Sequence, residues 1–348
     1  MTDRGVTDVL RPGTAAPQVV ATRPTPWEVG RRYATRRTRL LVGLGVLFTA
    51  VCLLFGFPTG REVITLWVLA LLFAVVGGDV RAWRTTVVRD WLPLLVVLFA
   101  YDLLRGFAKG SVSRAHVLPQ LRAEEWLFGG GRVTPTEWLQ ERLYSCIPSW
   151  YDYLAVPVYM SHFVVPMAVA AGLWATSYAR FKEFVWSLVT LTAMTLLTYA
   201  AFPAVPPWMA SQRLDPETGQ TLLPYTERVP SHVLEVSGVE TIHNAVQRGE
   251  AYANPVAAIP SLHSAVPMLV LLLAWPYCRR LGRTLLVVYI AAMTFTLVYG
   301  GEHYVVDAVI GWAYAALAVV LVRRVRARRA RAAVAGAEPP RAPAPAPV

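Results

Sequence analysis

The chain has 348 residues, of which 55% are hydrophobic and only 16% charged, too little charge to coat a water-soluble globule of that size. The net charge of +11 does not point to nucleic acid, because the arginines gather at the ends of apolar stretches and in the tails without interleaved aromatics. Cys52, Cys146 and Cys278 fall in the first apolar stretch, an outer loop and the inner end of the sixth, so no disulfide framework or metal site is indicated.

Residues 1–38 are expected to be a disordered cytoplasmic tail, and no apolar signal-peptide core precedes residue 40, which leaves the first span to direct insertion. Apolar stretches then recur at about 40–57, 63–78, 91–107, 153–175, 183–203, 262–278, 284–300 and 304–322, each near the ~20 residues that cross a bilayer as helix. A soluble helical protein would show polar faces at a period of 3.6 residues instead. The expected fold is therefore an all-α integral membrane protein with about eight transmembrane helices. Arg31, Arg32, Arg36, Arg37 and Arg39 precede span one; Arg81, Arg84 and Arg89 follow span two; Arg180 and Lys182 follow span four. Arg279, Arg280 and Arg283 follow span six, and Arg323, Arg324, Arg326, Arg328 and Arg329 follow span eight. With eight spans all of these lie on one side, which the positive-inside rule makes cytoplasmic. Both termini are then cytoplasmic in the cell membrane, and residues 323–348 form a basic, Pro/Ala-rich cytoplasmic tail.

Two outer segments are long enough to do chemistry, 106–150 and 204–260. The first carries a potential surface helix around PTEWLQERLY and, against the charge rule, Lys109, Arg114, Arg122, Arg132 and Arg142, some of which suit a ligand rather than topology. The second opens on FPAVPPW, where Pro203, Pro206 and Pro207 end a helix sharply. It runs through Arg213, Arg228 and Arg248 into NPVAAIPSLHS.

His263 in IPSLHSA starts span six, and His303 in GGEHYVVDAVIGW starts span eight, both on the outer side. Asp307 follows His303 by four residues, so on a helix the two share a face and the carboxylate can accept the second imidazole N–H. A histidine oriented in this way can attack phosphorus while a second protonates the leaving oxygen. That chemistry needs no metal or cofactor. An ionisable group one turn inside a span is costly and marks a functional site by default. His162, midway along span four in YMSHFVVP, has two readings: an accessory of the site, or a core histidine bonded to a neighbouring helix.

PSLHSA and GEHYVVDAVIGW resemble the second and third signature motifs of the type 2 phosphatidic acid phosphatase (PAP2) superfamily. The resemblance implies that residues 91–322 form its six-helix catalytic domain and that residues 39–90 are two additional transmembrane helices. By the same resemblance His303 is the nucleophile, Asp307 its orienting carboxylate, His263 the general acid, and Ser261 and Leu262 contact phosphate. The chain departs from the usual motifs at Leu262, where Gly is usual, and at Leu297, where the third motif usually carries Arg. The first motif, a Lys followed by Arg-Pro, is absent before His263. These losses, with the FPxxPPW and YDLLRG segments, are similar to the inositolphosphotransferase, or inositol phosphorylceramide synthase-like, branch.

A phosphoryl transition state still requires positive charge. Arg105, at the outer end of span three, is the first substitute, since arginine matches phosphate bidentately; Arg228, Arg213 and Lys109 follow. Asp102, one turn inside Arg105, either holds that guanidinium or pairs elsewhere. The leading function is a membrane phosphatase or phosphotransferase acting on lipid phosphate esters at the outer leaflet through a phosphohistidine, with a lipid or inositol acceptor as the other partner in the transfer version. The alternatives are a transporter with Asp102, His162 and Asp307 as a proton relay, and a non-catalytic scaffold.

Overall fold

The structure, a computed structural model, describes residues 34–55, 61–108, 112, 114–128, 134–214, 219–236 and 256–335. Its helices are α1 (Ala34–Phe55), α2 (Arg61–Val75), α3 (Val80–Ala108), α4 (Leu118–Leu127), α5 (Pro135–Leu143), α6 (Trp150–Thr176) and α7 (Tyr178–Ala201). They continue as α8 (Pro207–Ala210), α9 (Val229–Val236), α10 (Leu262–Ala274), α11 (Arg280–Tyr299) and α12 (Val305–Ala335). A helix stands over each apolar stretch read from the sequence. Among the described residues four helices, α6, α7, α11 and α12, are long and apolar enough to cross a membrane by themselves. The expected eight spans are thus matched in part: α2 holds a shorter apolar run, Leu66–Val75, and α10 remains shorter than a full crossing even with the tight turn Trp275–Tyr277 appended.

The arginines sit differently from the expected span boundaries. Arg81, Arg84 and Arg89 ride on the first turns of α3 rather than in a loop before it. Likewise α12 continues past 322 to Ala335, because Ala, Arg and Val leave it without a breaker. Arg323 Nε and Arg326 Nη1 grip the two oxygens of Glu183 on α7 at 2.7 and 2.9 Å.

The main core lies where α3, α6, α7, α10 and α12 meet, around Trp91, Trp174, Phe181, Leu191, Leu269 and Ala315. Trp91 meets Trp174 edge to face, with ring centroids 6.0 Å apart, an arrangement favoured by the ring quadrupoles. Buried Asp90 accepts hydrogen bonds from Trp174 Nε1 (3.2 Å) and the Tyr178 hydroxyl (2.6 Å), so the polar group that α3 inserts here is satisfied.

At one end of this core the described parts of segments 106–150 and 204–260 fold onto one another. His116, Ala204 and Ala257 lie side by side in short parallel bridges, with His116 N–H on Pro203 O at 2.8 Å and Ala204 N–H on Val256 O at 3.0 Å. The stretch before α4, the proline-rich stretch after α7 and the stretch before α10 are thereby zipped together. The helix expected around PTEWLQERLY is α5, capped by Thr134 and Glu137, each side chain bonding the other's backbone N–H. Gln140 on α5 donates to Glu227 O (2.8 Å) and Tyr299 O (2.7 Å) and accepts from Glu227 N–H (2.9 Å). That clamp fixes the turn between α11 and α12. Gly301 turns there with φ +69, and a Cβ on it would meet Glu227 O at 2.8 Å, so only glycine fits.

Candidate active site

Ser261 caps α10: its Oγ accepts the Ser264 N–H at 3.3 Å, a common helix-starting bond. His263 is therefore held in the first turn of α10. Ser261 N–H donates to Asp307 O at 3.0 Å, which ties the start of α10 to the start of α12. The close approach is permitted by Gly311, where a Cβ would stand 2.5 Å from Ser261 O. Ser261 is fully buried.

His303 lies in the turn just before α12, where the Glu302 and His303 N–H groups both donate to Leu297 O, at 2.9 and 3.2 Å. Asp307 Oδ2 accepts the Tyr304 N–H at 3.0 Å, reaching back over the helix start. The same oxygen stands 3.4 Å from His303 Nδ1. Asp307 is completely buried and His303 nearly so. His303 thus precedes the helix that a spacing of four residues suggested would carry it, and the pair meets because Asp307 caps that helix.

On the other side of the ring, His303 Nε2 lies 3.4 Å from His263 Nδ1. His162 on α6 stands against His263 with ring centroids 4.1 Å apart. Tyr159 stacks on the same imidazole at 5.1 Å and Phe163 meets it edge-on at 6.0 Å. The three histidines and Asp307 form one chain of side chains drawn from α6, α10, the turn before α12 and α12 itself. Nδ1 of His303 thus faces a carboxylate and Nε2 faces a second imidazole.

Two residues that the sequence reading passed over complete the surroundings. Gln120 Nε2 donates to Asp307 Oδ1 at 3.3 Å, and Glu124 Oε1 accepts the Val306 N–H at 2.9 Å. Both lie on α4, four residues apart on one face and buried. Burial, with the Asp307 charge adding a smaller effect, raises the Glu124 carboxyl to about 7 despite its bond from Val306 N–H. Neither stands out in the sequence, because the segment between α3 and α6 carries Glu125, Glu137 and Glu141 as well.

The expected cations fare unevenly. Arg228 Nε and Nη2 both donate to Glu302 Oε1, at 3.0 and 2.9 Å, and the guanidinium lies over the Trp208 ring at 4.6 Å. It stands beside the residue preceding His303. Arg213 is turned elsewhere, donating to the carbonyls of Val112 and Ala115. Leu297 is fully buried in apolar surroundings, and its carbonyl supports the His303 turn. Asp102 and Arg105 belong to the last two turns of α3, with side chains outside the described residues; Lys109 lies wholly outside them. Among the described residues no group of three or more His, Cys, Asp or Glu is placed to hold a metal ion.

The chain is 26% identical over 308 residues to a phosphoinositol dihydroceramide synthase of Bacteroides thetaiotaomicron, covering 82% of this chain and 93% of that protein. No solved structure matches it significantly. The profile of the PAP2 superfamily matches residues 122–321, which takes in α5 to α11, nearly all the apolar part of α12, His162, His263, His303 and Asp307, and by that match the chain belongs to the PAP2 superfamily.

Proposed function

We propose that this protein is a membrane lipid phosphotransferase that moves a phosphoinositol group from a phospholipid donor to the hydroxyl of a ceramide-like lipid, through a phosphohistidine at His303. The observation that carries the reading is the continuous relay Asp307–His303–His263, with 3.4 Å at each step. Asp307 holds the His303 tautomer, so Nε2 attacks phosphorus. The bond from phosphorus to the donor's alkoxide breaks, and His263 gives that oxygen its proton. In the second half the acceptor hydroxyl returns a proton to His263 while its oxygen attacks the phosphohistidine, restoring both histidines. Because His263 now stands on the lone-pair side of His303, the phosphoryl group enters by parting the two rings. His162 and Tyr159 back His263 and limit where it can go.

Positive charge for the phosphoryl oxygens comes, in this reading, from Arg228 beside the His303 turn, from Arg105 in the last turns of α3 and from Lys109, which follows that helix in sequence, with the buried Ser261 turn shaping the floor. The chemistry needs no metal. Membership of the family and the named relative support a lipid phosphatase or phosphotransferase in general; the relative's name favours phosphoinositol transfer over release of inorganic phosphate. The transporter reading has no observation of its own, since His162, His263, His303 and Asp307 converge on a single cluster instead of a path across the bundle.

Incubating purified protein with headgroup-labelled phosphatidylinositol and a ceramide separates the versions. Label appearing in a new ceramide-derived phospholipid supports transfer. Label released only as a water-soluble phosphate, with or without ceramide, contradicts it in favour of hydrolysis.

A further inference from the structure

Gln120 takes no part in the proposed proton and phosphoryl transfers, yet its side chain bonds the relay. It is 2% exposed on α4, whose next residue, Leu121, packs with Val117, Val205 and Tyr304 in an apolar cluster, so α4 is seated against the start of α12. Gln120 Nε2 donates to Asp307 Oδ1 at 3.3 Å, while its Oε1 is buried without a hydrogen-bond partner among the described residues. A half-satisfied amide is a poor choice for apolar packing alone. The bond to Asp307 accounts for it.

The carboxylate depends on that bond for its orientation. Asp307 Oδ2 stands 3.4 Å from His303 Nδ1, a separation too long to fix either group by itself, and the same oxygen accepts the Tyr304 N–H at 3.0 Å. The terminal torsion of an aspartate is broad, so one firm bond on one oxygen leaves the carboxylate free to turn. Gln120 supplies a second bond on the other oxygen and fixes the plane, with Oδ2 toward the imidazole. Glu124, one turn further along the same face of α4, accepts the Val306 N–H at 2.9 Å and so holds the residue before Asp307 as well.

We infer that Gln120 is a positioning residue of the transfer reaction: by holding Asp307 Oδ1 it keeps Oδ2 on His303 Nδ1 while Nε2 bonds phosphorus. The inference rests on the phosphohistidine reading and adds a residue from outside its relay. Gln120 acts where the imidazole gains positive charge, in the transition state, and touches no substrate, so its effect falls on kcat and not on KM.

Gln120→Met keeps the length and bulk of the side chain and removes the donor; Gln120→Asn, which keeps the amide but withdraws it by one methylene, repeats the test should methionine there prevent folding. Full-length protein in detergent micelles is assayed with headgroup-labelled phosphatidylinositol and a ceramide. NMR of isotope-labelled histidine nitrogens reads the His303 ring, its signals recognised by their loss in His303→Ala. Both variants are expected to lose about tenfold or more in kcat, the scale of one hydrogen bond to a charged group, with KM within about twofold of wild type. In an Asp307→Ala background Gln120→Met should cost nothing further, because the group it acts through is gone. In the spectra the His303 proton is expected on Nδ1 in wild type and spread over both ring nitrogens in Gln120→Met. Undiminished kcat, a full second loss on top of Asp307→Ala, or an unchanged His303 tautomer overturns the inference. The spectra require no turnover, so absence of phosphotransfer by wild type, with the tautomer response intact, would count against the reaction and not against the hold of Gln120 on Asp307.

Discussion

At the scale of single residues, the two histidines of the relay are assigned different work, and that difference is measurable. His263 supplies a proton to the leaving oxygen, a need that shrinks when the leaving group is a good one. His263→Ala is therefore expected to lose about 10²–10⁴-fold on a lipid substrate and to regain much of its first-step rate on a nitrophenyl phosphodiester. His303→Ala should regain nothing; equal rescue of both variants would contradict the assignment. Asp307→Asn, which keeps the ring but disturbs its tautomer and charge, should fall between them. Glu124 allows a test through stability. Its carboxyl is raised to about 7 from 4.5 by burial, so folded protein holds a proton that the unfolded chain releases at lower pH. The stabilisation is then fully present below about pH 4.5 and lost as pH rises through 7, by roughly 3 kcal/mol. Glu124→Gln should melt several degrees above wild type at pH 8, with a much smaller difference at pH 5; an equal difference at both values would show that Glu124 does not hold that proton.

At the scale of elements, the site exists because α10 and α12 start within touching distance of each other. Ser261 N–H bonds Asp307 O at 3.0 Å, and Gly311 leaves the space, since a Cβ would meet Ser261 O at 2.5 Å and Ala265 Cβ at 3.3 Å. Gly311→Ala should force the two helix starts apart, costing about 1–3 kcal/mol of stability and at least tenfold in phosphotransfer, because His263 and His303 ride on opposite sides of the contact. Unchanged activity and melting temperature in that variant would mean that the approach is not needed. The turn between α11 and α12 is held from outside, by Gln140 of α5 on Tyr299 O and Glu227 O. The segments between α3 and α6 and between α7 and α10 therefore act as a frame around the histidines.

At the scale of the whole molecule, the apolar stretches, the proline break after α7 and the motif histidines were legible because each is a local signal: length, a missing N–H, or a fixed spacing. The convergence of His162 on His263 was open to two readings, since no local pattern says which face of α6 meets α10. Gln120 and Glu124 were missed because their partners lie 187 and 182 residues away, and contacts at such separation leave no trace in a single sequence. Membrane orientation is a proposal of the arginine distribution. In a cysteine-free background, Glu235→Cys should react with an impermeant reagent in intact cells and Ala330→Cys should not; the reverse pattern would place the histidines on the cytoplasmic side. The most direct test of the covalent relay is a rapid acid-free quench of full-length protein turning over phosphorus-labelled lipid, followed by identification of labelled peptides. Wild type is expected to carry an acid-labile label on His303, and His303→Ala none. Label retained in His303→Ala and lost in His263→Ala would show the two roles reversed.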